Sequence, residues 1–224
     1  MSISHIIFDC DGVLVDSEPL SMRADVEILT RAGIRITEAE AHRRFVGTTF
    51  QDMIKALEKE HGTKLPENLS DLKNARMNEM YRTELKLVRG VRDALEDIRN
   101  MGLSMSIASN GPKDRVKLAL QLTGLLPYFK NAIVTYEDVP QGKPAPDMYL
   151  LAAKNAGTKA DNCLVVEDSI SGVTAAVDAG CWTLGFTGTY EDQQGHGEKL
   201  KDIGAEAIFG KMVDLPALVE TFVR

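Results

Sequence analysis

From Gly90 onward the sequence alternates between helical periodicity and short apolar runs, and this alternation restricts the fold more than any other feature. Helical patterns over 91–100, 112–122, 147–156 and 170–179 are each followed by an apolar run, over 104–108, 132–134, 163–166 and 182–186. Short apolar runs bounded by turn residues read as buried strands. A last strand over 207–209 and a helix over 215–222 complete the series. Repeated βα units imply a parallel, Rossmann-like sheet with helices on both faces.

The N-terminus supplies one more strand, Ile6 to Phe8, which ends abruptly in Asp9 and Asp11. Gly12 allows a tight backbone path just after them. Beyond Asp16 the pattern turns helical, over 17–32, 37–45, 50–60 and 70–85. Pro19 suits a first turn, Thr37-Glu38-Ala39-Glu40 has capping-box spacing, and Gly47-Thr48-Thr49 and His61-Gly62 are breaks. Four helices without an intervening strand indicate an inserted all-α domain over 17–88, in a core made of 1–16 and 89–224. The alternative is that these helices cover one face of the sheet. Insertion directly after the acidic strand exit favours a lid over a site there. The polar, Gly-rich segment 187–197 is expected to be a surface loop.

Charged residues make up 26% and hydrophobic residues 44%, an ordinary globular composition. The net charge of −7 argues against a nucleic-acid partner. Cys10, Cys163 and Cys181 have neither zinc-ligand spacing nor an even count, so buried free thiols in a reducing compartment are expected. No apolar run approaches transmembrane length and the N-terminus shows no signal-peptide pattern, so no membrane partner and a cytoplasmic location are expected.

The chemistry-bearing residues share a position. Asp9, Ser109 and Asp168 each lie at the carboxyl end of an expected strand, and Lys143 follows the strand ending near Thr135. Open α/β sheets bind ligands at that edge. Two carboxylates two residues apart repel unless a cation or proton lies between them. Such a pair suits Mg²⁺, a hard ion held by one or two carboxylates plus a substrate phosphate. On Asp9, Asp11 and Gly12 alone, a solvated turn is the simpler reading.

The longer string Asp9-Cys10-Asp11-Gly12-Val13-Leu14-Val15-Asp16 overturns it. With Ser109-Asn110-Gly111, Lys143-Pro144-Ala145-Pro146-Asp147 and Glu167-Asp168-Ser169, it resembles in order the four motifs of the haloacid dehalogenase superfamily in its phosphatase form. The resemblance implies a helical cap inserted after the first motif. It makes Asp9 the nucleophile that forms an aspartyl-phosphate, and Asp11 the general acid and then base. The dehalogenases of that superfamily lack an Asp at this position, so Asp11 argues for phosphoryl chemistry. Ser109 and the Asn110 amide would hold a phosphoryl oxygen, and Lys143 would stabilise charge on the transferring group. Asp168 would ligate Mg²⁺ together with Asp9 and Asp11, with Glu167 a further ligand or a supporting carboxylate. Asp168 or Ser169 could also cap the helix that follows.

The expected activity is therefore Mg²⁺-dependent hydrolysis of a small phosphorylated metabolite, a sugar phosphate or phosphogluconate. The sequence is also similar to beta-phosphoglucomutase. However, Ser21 stands where that enzyme has a His, and Thr48-Thr49-Phe50 where its cap carries an Arg. A non-catalytic phosphate-binding protein on the same scaffold is a rival of another class. Arg44, which flanks the apolar side of the helix over 37–45, is expected to contact the substrate, and Arg43 to face solvent. Lone cations at a C-terminal helix end also favour the dipole. A monomer or weak dimer is expected.

Overall fold

Why the motifs gather at one edge follows from the order of the strands. The computed structural model describes residues 3–45, 48–129 and 132–223. In chain order the strands are β1 (His5–Phe8), β2 (Val15–Asp16), β3 (Lys86–Leu87), β4 (Ser104–Ser109), β5 (Ile133–Thr135), β6 (Cys163–Glu167), β7 (Trp182–Phe186) and β8 (Ala207–Phe209). Six of them form a parallel sheet in the order β5-β4-β1-β6-β7-β8. From β1 the chain builds outward through β4 and β5, then returns to β1's other side with β6. The order reverses around β1, and ligands bind at such switch points, outside the carboxyl ends of the strands. β1 and β6 are buried at every position, as expected of parallel strands covered on both faces.

The chain divides into two compact units, 1–16 with 86–224, and 17–85. Around the sheet of the first lie α5 (Val91–Asn100), α6 (Lys113–Thr123), α7 (Leu126–Phe129), α8 (Asp147–Asn155), α9 (Ile170–Asp178), α10 (Gln193–Ile203) and α11 (Leu215–Val223). Met148, Tyr149 and Ala152 of α8 and Ala175 and Ala176 of α9 pack with Ile7, Ala108 and Val165 in one core cluster. The second unit holds α1 (Glu18–Arg31), α2 (Glu38–Phe45), α3 (Phe50–His61) and α4 (Leu69–Glu84). Its own core joins Ile28 and Leu29 to Phe45, Met53, Leu57 and Leu69. Bidentate pairs of Arg23 with Glu84 and Arg76 with Glu27 tie α1 to α4. The Thr49 side chain caps α3 and Gly62 ends it in the left-handed region, at φ 63°. The break expected at Gly47 lies outside the described residues. The protein is thus α/β, a Rossmann-like parallel sheet with an inserted all-α cap domain. Among the described residues no helix is long and apolar enough to cross a membrane.

Two local expectations differ from what is found. Residues 86–87, assigned to the helical insertion, pair antiparallel with β2. The segment 187–197 is not a loop throughout, because α10 begins at Gln193. Asp192 caps it by accepting the Gly195 N–H at 2.9 Å. Gly197, expected at the end of that surface loop, is buried in this helix, and a Cβ there would come within 2.8 Å of Ile208 Cγ2.

β1 also contains an acid-sensitive element. His5 is buried with Nδ1 2.7 Å from Ser104 Oγ and Nε2 2.7 Å from Ser106 Oγ. Burial lowers its pKa from 6.5 to about 4, so the folded protein holds it neutral while the unfolded chain protonates first. The stability this contributes is complete above about pH 6.5 and is lost as pH falls towards 4, amounting to about 3 kcal/mol. Denaturant unfolding from pH 7 to pH 4 should show this loss, and His5→Gln should flatten that part of the profile.

Candidate active site

Strand register brings the motifs to one level. Phe8 is opposite Ile107 of β4 and Val166 of β6, so the next residue, Asp9, lies beside the ends of both strands. The Asp9 N–H donates to the Val166 carbonyl at 3.0 Å, holding the start of the loop to β6. Ser109 closes β4, Glu167 closes β6, and Asp168 follows it.

Lys143 arrives on the loop between β5 and α8, and Asn110 fixes that loop. The Asn110 side chain donates to the Lys143 carbonyl at 3.2 Å and accepts the Lys143 N–H at 3.0 Å. Its side-chain amide, expected to help hold a phosphoryl oxygen, is thus committed to the Lys143 main chain. The Lys143 ammonium then lies 2.5 Å from Asp9 Oδ1 and 2.6 Å from Glu167 Oε1. Asp9 is 7% exposed, Lys143 9% and Glu167 0%. Burial acts to lower the lysine's pKa, but the two facing carboxylates overcome it and hold the ammonium well above its usual value.

Both oxygens of Glu167 are engaged. Oε1 accepts from Lys143 and, at 3.2 Å, from the Tyr149 hydroxyl, and Oε2 accepts from the Ser169 N–H and hydroxyl at 2.7 and 3.0 Å. Gly172 makes room for this carboxylate: a Cβ there would come within 1.7 Å of Glu167 Oε1. Ser169, not Asp168, caps α9, accepting the Gly172 N–H at 3.0 Å. The Asp168 carboxylate is therefore turned to the first loop. Gly12 has φ 83°, and a Cβ there would lie 2.2 Å from Asp168 Oδ2. Only glycine suits both that conformation and that approach. A methyl at Gly111 would lie 3.3 Å from both Asp11 Oδ2 and Ser109 Oγ, which places these two oxygens around one small space. Ser109 Oγ accepts the Gly111 N–H at 3.0 Å, so its own O–H can donate elsewhere.

The electrostatics favour a cation. Among the described residues of this unit, the buried acids are Asp9, Glu167 and Asp168 and the buried charged base is Lys143, since His5 is neutral. Burial is the largest influence on Asp9 and raises its pKa to about 7 against the pull of Lys143; Glu167 and Asp11 add to the rise. Cys10, between the two aspartates, is pushed well up by burial and remains a thiol. Among the described residues no three His, Cys, Asp or Glu side chains form a ready-made metal cluster. Mg²⁺ takes one or two carboxylates and completes its shell with water and phosphate oxygens. The surplus negative charge and the oxygen donors fit this ion.

Arg44, expected to contact substrate, has its guanidinium committed within the helical unit. Nη1 donates to Glu40 at 2.9 Å and Nη2 pairs with Glu60, while the group lies 4.8 Å from the Phe45 ring centre. The α2 sequence showed the i,i+4 partner, but Glu60 comes from α3 and no spacing reveals it. Arg43 is exposed. Sequence reasoning missed Tyr149, Gly172, Thr189 and His196. Thr189 Oγ1 donates to the Gly12 carbonyl at 3.2 Å, and His196 Nε2 lies 2.6 Å from the Asp168 carbonyl. Their only sequence signal was a polar run without periodicity.

The family described as haloacid dehalogenase-like hydrolase matches residues 6–186. A 6-phosphogluconate phosphatase of Escherichia coli K12 is 31% identical over 179 residues, covering 80% of this chain and 80% of that protein. A phosphorylated carbohydrates phosphatase of Thermotoga maritima is 31% identical over 211 residues, covering 91% and 92%. The crystal structure of a haloacid dehalogenase-like protein of unknown function from Agrobacterium tumefaciens C58 superposes with a TM-score of 0.86 at 34% identity, covering 100% of both chains.

Proposed function

The chain belongs to the haloacid dehalogenase-like hydrolases and is a phosphatase of that family, and we propose that it hydrolyses a small phosphorylated carbohydrate with Mg²⁺ through a phosphoaspartate on Asp9. The observation that carries this reading is the buried Lys143 ammonium held between Asp9 and Glu167 at 2.5 and 2.6 Å. A carboxylate that attacks a phosphate dianion needs its charge balanced, and Lys143 is fixed where it balances both the nucleophile and the transferring group.

In the first step a carboxylate oxygen of Asp9 forms a bond to phosphorus as the ester P–O bond breaks, and Asp11 gives its proton to the leaving alkoxide. Asp11, now ionised, takes a proton from water as that water attacks phosphorus. The Asp9 carboxylate leaves, and inorganic phosphate is released. The Ser109 hydroxyl donates to a phosphoryl oxygen, while Asn110 keeps the Lys143 loop in place. We assign Mg²⁺ to Asp9 and Asp168, with Asp11 contributing its main-chain oxygen; when bound it neutralises the carboxylates and the phosphoryl oxygens. Glu167, with both oxygens occupied by Lys143, Tyr149 and Ser169, is assigned to holding the lysine rather than to the metal.

The names of the relatives support sugar and sugar-acid phosphates as the substrate class, 6-phosphogluconate first. A screen of phosphorylated metabolites with Mg²⁺ tests this directly, and activity confined to non-carbohydrate phosphates would refute it. EDTA should abolish phosphate release and Mg²⁺ restore it. Ca²⁺, with its looser and higher coordination, should support little turnover. Full activity in the chelated protein would remove the metal from the mechanism.

A further inference from the structure

We propose that His196, stacked on Tyr190, is a positioning residue that orients Asp168 towards the divalent cation, with Thr189 holding the opposing loop. The proposal rests on the assignment of Asp168 as a ligand made above. It starts from the peptide that follows Asp168. Ser169 is the helix cap, so its own carbonyl accepts the first bond of α9, from Val173 at 3.0 Å. The Asp168 carbonyl lies one residue earlier, outside that ladder, and His196 Nε2 reaches it at 2.6 Å. A carbonyl oxygen only accepts, so Nε2 carries the proton and donates.

The other polar atom of the same peptide, the Ser169 N–H, donates to Glu167 Oε2 at 2.7 Å. The peptide plane is therefore pinned at both ends, which restricts ψ of Asp168 and so the placement of the Cα–Cβ bond from which the carboxylate extends. The imidazole is itself held. Tyr190 stacks on it with ring centres 3.6 Å apart and planes 12° apart, and the Asp192 cap sets the first turn of α10 on which it sits.

The same segment also reaches the first loop. The Thr189 hydroxyl donates to the Gly12 carbonyl at 3.2 Å, at the glycine on which the Asp168 carboxylate packs. Residues 189–196 thus bind main-chain carbonyls in both loops that carry the proposed ligands, Asp9 with Asp11 and Asp168. Hydrogen-bond partners behind a ligand set its orientation, and removing one costs about 10- to 100-fold in metal affinity.

The test is binding of Mn²⁺, an oxygen-seeking stand-in for Mg²⁺, to the full chain, read from the free-ion paramagnetic resonance signal without any substrate. His196→Phe keeps a ring to stack on Tyr190 but has no N–H, and should raise the dissociation constant by about 10- to 100-fold. His196→Gln, which offers an amide donor, should recover most of the affinity. Tyr190→Leu should weaken binding in the same direction, and it carries the test if His196→Phe does not fold. At saturating Mg²⁺, kcat of these variants should approach that of the parent. Unchanged Mn²⁺ affinity in His196→Phe, or in Tyr190→Leu if it must stand in, would overturn the proposal while Asp168→Ala loses binding. Binding that survives Asp168→Ala would instead overturn the ligand assignment, and the proposal with it.

Discussion

Asp9→Asn should abolish phosphate release while leaving the fold intact. The amide matches the carboxylate in size and still offers an oxygen to Lys143, but it cannot form the phosphoanhydride-like bond to phosphorus. Losses on removing a nucleophile are on the order of 10⁴-fold or more. Stability should change little, because the Lys143 ammonium keeps Glu167 as its charged partner at 2.6 Å. Acid-stable radiolabel trapped on the parent protein and absent from the variant would complete the evidence. Near-parental turnover by Asp9→Asn would exclude the covalent route.

Asp11→Asn carries the second large effect. Its carboxylate borders one small space with the hydroxyl of Ser109, the residue proposed to hold a phosphoryl oxygen. Loss of a general acid costs about 10²- to 10⁴-fold. The defect should fall on the first step with alkyl phosphates, whose alkoxides need a proton, and should shrink with p-nitrophenyl phosphate, whose leaving group does not. The release of alcohol in a rapid-quench burst isolates that step from the later attack of water. An equal loss on both substrate types would remove Asp11 from the acid role.

Some of this was legible in the sequence and some was not, for identifiable reasons. The strands of the sheet could be read within one or two residues because each is a short apolar run punctuated by turn residues, and β7 and β8 match the expected spans. The positions of Asp9, Ser109 and Asp168 at the sheet edge followed from that reading. α10 was obscured because Gly195 and Gly197 look like breakers. Gly197 is there for close packing on Ile208, a contact across 11 residues of sequence that no local pattern encodes. The commitments of Glu167 and Arg44 were hidden for the same reason. Glu167 is defined by Lys143 and Tyr149, and Arg44 by Glu60, none of them a sequence neighbour. Composition shows that a charge exists but not which opposite charge it meets.

The short pairing of β2 with β3 has a consequence for how such a chain can change. Val15 stands opposite Leu87 and Asp16 opposite Lys86, and the Val88 N–H closes onto the Leu14 carbonyl at 3.1 Å. Antiparallel partners lie about 4.5–5.5 Å apart, so the chain departs for the helical segment and comes back at almost the same point. A tight two-residue hairpin turn would join these ends. Any insert whose own ends meet, long or short, can therefore be exchanged at this junction with no shift in the register of the central sheet. One hydrolytic framework can thus acquire new helical inserts by recombination, one cassette at a time.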